Sequence, residues 1–150
     1  MSKQEEAALI LKLYELCRED GMRKAGDWYY RDFNPHSIAD FNQSMFGEHS
    51  GQLRVVVRFW DMAAAIVNGG AISLDLFNNS HDEHIVVFSK VEPFLREIRQ
   101  TYAHDFAVNL EKLIDSMPDG RKRTEAIREK QKAVIDQFSG KHKTDRSGWK

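Results

Sequence analysis

The chain has 150 residues, 41% of them hydrophobic and 30% charged, and a formal net charge of −1. That length suffices for one domain that buries a core without disulfides or metals, and the near-neutral charge argues against general nucleic-acid binding. The single Cys17 excludes an intramolecular disulfide and fits a reducing compartment. No apolar run follows a basic start at the N-terminus, so no signal peptide is read and the expected location is cytoplasmic.

In chain order, Ser2 and Glu5 form a capping box, S-x-x-E, ahead of an apolar run from 7 to 16. Met22, Ala25, Tyr29 and Phe33 keep helical spacing across Gly21 and Gly26, which predicts one long, bent helix ending in the aromatic cluster Trp28, Tyr29 and Tyr30. Cys17 shares the apolar side of this helix with Leu13 and Leu16, the setting of an inert thiol. Asn34 and Pro35 read as a stop and a restart, with Asn34 as N-cap. A short second helix then carries Ile38, Phe41 and Met45 inward and closes at Gly47.

The stretch LRVVVRFWDMAAAIVNGG, residues 53–70, organises the rest. Leu53, Val56, Val57, Trp60, Ala63, Ala64 and Val67 form one apolar stripe, and Val55, Phe59, Met62 and Ile66 form a second. Only Arg54, Arg58 and Asp61 interrupt them, as one narrow polar line. A helix apolar nearly all round belongs inside a fold, and with its charges this one is too short for a membrane span. Gly69 and Gly70 supply its C-terminal cap.

Ser73 caps a helical turn holding Leu74, Leu76 and Phe77, which Asn78, Asn79 and Ser80 are expected to break. Ser80 and Glu83 read as a second capping box. Ile85, Phe88, Val91, Leu95, Ile98 and Tyr102 then recur at steps of three and four, with Pro93 placed to kink the helix without ending it. Asp105 opens a further helix with Phe106, Leu110, Leu113, Ile114 and Met117 facing inward. The last helix, from 121 to about 138, is charged, and its first half is expected to hold the body least. Residues 139–150, SGKHKTDRSGWK, lack periodicity and read as a basic, disordered tail. From Asp119 onward ten Lys/Arg face five Asp/Glu, but the two signs interleave at helical spacing. That pattern suits a solvated helix better than a phosphate-binding stripe.

The candidate chemistry is sparse. His81-Asp82-Glu83-His84 places two histidines three residues apart at a helix start, a spacing that can share a metal, with His49 as a distant partner. It matches neither HExxH nor HxxEH. The simpler reading is acidic residues at the positive end of a helix with histidines in solvent. The dipeptide His81-Asp82, with His49 upstream and Asp105 downstream, resembles the HD class of metal-dependent phosphohydrolases, which implies a hydrolase as the alternative function. The polar line Arg54, Arg58 and Asp61 must pair or reach solvent. Arg58 and Asp61 can pair at i, i+3, with Glu92 or Asp82 joining; otherwise Arg58, with Arg96 or Arg99, offers an anion pocket. No phosphate loop or nucleophile motif appears, and no cofactor is expected.

The runs FWDMAAAIVNGGAISLDLF and FSKVEPFLREIRQTY resemble a bacterial family of small helical proteins of unknown function, through Trp60 to Ile72, Leu74 to Phe77, Phe88, Pro93-Phe94 and Arg99. This resemblance covers the middle third of the chain and implies a helical fold with no assigned activity. Members often carry an N-terminal membrane helix; none is read here, so no membrane role is expected.

Together these readings give an all-α fold, an irregular bundle of five or six helices around a central helix from Leu53 to Val67. Residues 1–138 form the domain and 139–150 the tail. The expected function is a non-catalytic protein-interaction or regulatory module. Leu9, Ile10, Leu11 and Leu13 present more apolar surface than one packing face needs, as for a homo-oligomer or protein partner.

Overall fold

The computed structural model describes the backbone of residues 2–147 and the side chains of residues 2–138. It is all-helical, with no strand among the described residues. The helices are α1 (Lys3–Cys17), α2 (Asp20–Arg31), α3 (Ile38–Phe46), α4 (Ser50–Asn68), α5 (Leu74–Ser80), α6 (Glu83–Val91), α7 (Leu95–Thr101), α8 (Val108–Ser116) and α9 (Gly120–Ser147), with a 3₁₀ turn, Glu92–Phe94, joining α6 to α7.

The hub is α4. It packs chiefly along α8 and α2, with α3, α5 and α6 completing its surroundings. Its buried residues are Leu53, Val56, Val57, Trp60, Ala63, Ala64 and Val67, the first apolar stripe of the sequence without exception. The second stripe behaves differently, since Val55 and Met62 are exposed and Phe59 and Ile66 are half-buried. The helix enclosed on nearly every side is α6, in which seven of nine residues are buried. Enclosure depends on how many neighbours surround a helix, which its own apolar content does not set.

The expected long first helix is two helices, and the break lies at Arg18 and Glu19 rather than at a glycine. The capping box of Ser2 and Glu5 forms, as does the Ser73 cap. Gly69 is the C-cap of α4, and Gly70 takes φ 88°, a left-handed conformation that a side chain would strain. Other ends are set differently. Ser37, and not Asn34, caps α3. Asn78, Asn79 and Ser80 continue α5, where the Ser80 hydroxyl donates to the Leu76 carbonyl, so α6 starts after Asp82 without a side-chain cap. Asp105 does not open α8; the helix begins after Ala107, which sits in the left-handed region at φ 55°.

At Pro93 the rod bends through the 3₁₀ turn and resumes as α7, because proline cannot donate to the ladder but its φ suits the turn. The first half of α9 is its firmly held part, contrary to expectation. Thr124 is buried, Ile127 packs on the core, and the Arg121 guanidinium lies 5.3 Å from the centre of the Phe88 ring. Farther on, Val134 and Ile135 are exposed. The backbone of α9 runs to Ser147, so the expected tail is described only as backbone there, and 148–150 lie outside the described residues.

Candidate functional site

The polar line of α4 lies on the wall of a groove of about 420 Å³, bounded by α3, α4 and the loop between α7 and α8. Arg54, Arg58 and Asp61 all contribute, together with Phe46, Tyr102 and Asp105. The expected Arg58–Asp61 pair does not form. The Asp61 carboxylate instead accepts from the Leu110 backbone N–H at 2.9 Å and from Asn109 Nδ2 at 3.2 Å. It satisfies an orphan amide in the first turn of α8 from a different helix, which the N-cap Ala107, having no side-chain acceptor, cannot do.

Arg54 and Arg58 are exposed and have no carboxylate within ion-pair distance among the described residues. The other acids named as partners are engaged elsewhere or face solvent. Glu92 binds Arg121 at 2.8 Å and Arg128, while Asp82 is exposed at the start of α6. Arg99, the expected second anion donor, pairs with Glu111 at 2.7 Å and donates from Nε to the Phe106 carbonyl; Arg96 is exposed. Beside the two free guanidinium groups, Phe46 is 62% exposed and meets Tyr102 edge-on, with centroids 4.9 Å apart. Tyr102 is oriented by its hydroxyl, which donates to Asn42 Oδ1 at 2.8 Å.

The histidines are not in solvent. His84 is fully buried, against Phe77 at 4.7 Å and near Trp60. Its Nε2 lies 2.9 Å from Asn78 Oδ1 and its Nδ1 lies 3.3 Å from His81 Nδ1. Burial first, then the neighbouring His81 and Arg123, push the His84 imidazole down to about 3, and burial also lowers His81. Both rings are therefore neutral near pH 7. His49 stands apart, stacked on Trp28 at 4.8 Å, with Nε2 3.6 Å from Glu48. Among the described residues no three His, Cys, Asp or Glu side chains gather in a group able to hold a metal ion. Glu83 turns away to accept from the Tyr30 hydroxyl at 3.3 Å. Cys17 is half-buried, and burial followed by the Glu83 charge push its thiol up to about 12, which disfavours the nucleophilic thiolate.

Lys90 escaped the sequence reading. It is 7% exposed, and its ammonium donates to the carbonyls of Tyr29, Tyr30 and Phe33 at 2.8 to 3.1 Å and to Asn34 Oδ1 at 3.2 Å. It thus closes the C-terminal end of α2, where cations are favoured. The one local sign was a lysine between Val86-Val87-Phe88-Ser89 and Val91, in a segment otherwise built for burial. Asn34 is held as an acceptor for this lysine, and α3 begins four residues later, with Ser37 in the N-cap position.

The model of one family, Domain of unknown function (DUF4760), matches residues 4–117. The chain belongs to the DUF4760 family. The match covers α1 to α8 and stops short of α9, so the groove of Arg54 and Arg58 lies wholly within the family unit. No curated protein and no solved structure matches the chain. Among the described residues, no helix of this DUF4760 protein is long and apolar enough to cross a membrane.

Proposed function

We propose that this DUF4760 domain is a non-catalytic, cytoplasmic protein-interaction module, and that it recognises an acidic segment of a partner protein in the groove of α3, α4 and the α7–α8 loop. The observation that carries this reading is the pair of free guanidinium groups, Arg54 and Arg58, one turn apart on that groove. Asp61, the acid at the right spacing to neutralise Arg58, is held by α8. Two arginines without a counter-ion are donors for carboxylates, and their planar forks favour bidentate pairing. Phe46 beside them adds an exposed aromatic anchor of the kind that dominates interface energetics. The favoured partner therefore presents carboxylates flanking one large apolar side chain.

The test is a titration of a fluorescent peptide of glutamates flanking a single leucine or phenylalanine, followed by polarisation at two salt concentrations. Saturable binding is expected that weakens with salt and falls at least tenfold in the Arg54→Glu, Arg58→Glu double variant. Both substitutions are on the surface, so its melting temperature should stay near that of the wild type. Equal affinity in the two proteins, or no saturable binding to the wild type, overturns the reading.

A further inference from the structure

A second concavity, of about 450 Å³, lies where α9 leaves the body, between the α2–α3 loop, the end of α6 and the middle of α9. Its α9 wall falls outside the residues matched to the family. Its apolar surface comes from Pro35, Pro93, Phe94 and Ile135. Around that surface stand Lys90, Arg128 and Lys132, against one lining acid, Asp136.

Lys90 makes this cavity more than a surface depression. All four groups bonded to its ammonium are neutral oxygens, and no carboxylate lies within ion-pair distance among the described residues. Its hydrogen bonds are satisfied by neutral groups, and its charge is met only by the carbonyl end of α2 and the face of the Tyr29 ring, 5.6 Å away, with no formal counter-ion. A buried cation in that state carries a desolvation cost that a nearby anion offsets. The same imbalance shows in its acidity, which burial lowers to about 8 despite the opposing influence of Asp32. Arg128 is fixed on the cavity wall: Nη2 pairs with Glu92, which offsets its charge, and Nε donates to the Ser89 carbonyl at 3.0 Å, leaving Nη1 without a protein partner among the described residues. Lys132 meets Glu129 only at 3.6 Å and both are largely exposed, so its head is free to turn inward.

We infer that this cavity binds a small amphiphilic anion, a carboxylate or phosphate head joined to a short apolar body, with the head near Lys90 and Arg128 and the body against Pro35, Pro93, Phe94 and Ile135. A size of a few hundred Å³, a mainly apolar lining and a few convergent polar groups are the general features of small-ligand sites. The same head chemistry is offered by a free monocarboxylate and by an anionic phospholipid, and the experiment separates them.

The probe is octanoate, titrated into the full-length protein by calorimetry with octanol as the neutral counterpart. Saturable one-to-one binding of octanoate is expected, with octanol at least tenfold weaker. Ile135→Asp, which puts a carboxylate on the apolar wall at an already accessible position, should weaken octanoate at least tenfold without changing the melting temperature. Lys90→Met should also weaken octanoate at least tenfold, with a lower melting temperature because the carbonyls at the end of α2 lose their donor; Ile135→Asp decides the matter if that variant does not keep a native circular dichroism spectrum. Phosphatidylglycerol vesicles form the second arm. Octanoate binding without vesicle binding identifies a free ligand, and vesicle binding that Ile135→Asp abolishes identifies a lipid head. Octanol binding as tightly as octanoate, an unaffected Ile135→Asp, or binding in neither arm overturns the inference.

Discussion

At the scale of single residues, the histidines show how far local pattern and final environment can part. His81 ends α5 and His84 lies in the first turn of α6, and their acidic setting does not announce that Trp60 and Phe77 will pack against them. The consequence is a pH dependence of definite sign. Both imidazoles have folded-state pKa values below the ordinary 6.5, His84 at about 3, so the unfolded chain binds more protons across that interval. Their contribution to stability is complete above pH 6.5 and is lost as the pH falls, at up to about 1.4 kcal/mol per pH unit for a single group. The acids of the ion-pair network act lower: Glu111 and Asp115, both held below their ordinary values, lose stabilisation only as the pH drops through the carboxylate range. Glu83, raised chiefly by burial, works in the opposite sense there. The melting temperature is therefore expected to fall between pH 7 and pH 5, and to fall less steeply in His84→Gln. An identical slope in both proteins would contradict the buried-histidine assignment. Lys90 was illegible for the same reason, since its partners lie 56 to 61 residues away.

At the scale of elements, periodicity carried the inward faces and local capping carried only some of the ends. The seven buried positions of α4 are the first apolar stripe its spacing names, while the second stripe, Val55, Phe59, Met62 and Ile66, is half-buried or exposed. Where a terminus is satisfied from a distance, local reading fails: Lys90 completes α2, and Asp61 reaches an amide of α8. The helix α9 adds a packing constraint that spacing does not encode. A Cβ at Gly120 would overlap the Ile114 carbonyl oxygen, so glycine there lets α9 close onto the end of α8. The joint is then tied by Arg121, which reaches Asp115, Glu92 and Glu111 at 2.6 to 2.9 Å. Gly120→Ala is expected to destabilise by about 3 kcal/mol, the upper end for overpacking, because the obstacle is backbone and cannot rotate away. Arg121→Ala is expected to cost far less, since partly exposed ion pairs contribute about 1 kcal/mol or less. Chemical denaturation of the two variants checks the order, and a larger loss from Arg121→Ala would mean that charge rather than shape fixes α9. The interleaved acids of the sequence understate this pairing: Arg121 and Arg128 are both neutralised by residues of other helices.

At the scale of the whole molecule, the fold class was legible because apolar periodicity, capping residues and breakers agreed along the chain. The groove was legible only in part. Its three polar members share one helix and could be named together, whereas Phe46, Tyr102 and Asp105 arrive from α3 and the α7–α8 loop through tertiary packing. The apolar surface of α1 divides in the same way: Ile10 and Leu13 are buried, and Leu9 and Leu11 remain exposed beside Tyr14. Exposed apolar surface on α1 and the free arginines on α4 thus offer two distinct places for a partner, and the concavity at the second, about 420 Å³ against about 160 Å³ beside Tyr14, is the larger. Mapping backbone amide shifts by ¹H–¹⁵N spectroscopy during titration with the acidic peptide distinguishes them directly. The expected result is a cluster of perturbed amides at Phe46, Arg54, Arg58, Tyr102 and Asp105 that moves in fast or intermediate exchange and disappears at high salt. Perturbations confined to α1, or scattered without a cluster in the groove, would contradict the assignment of the Arg54–Arg58 groove as the recognition surface.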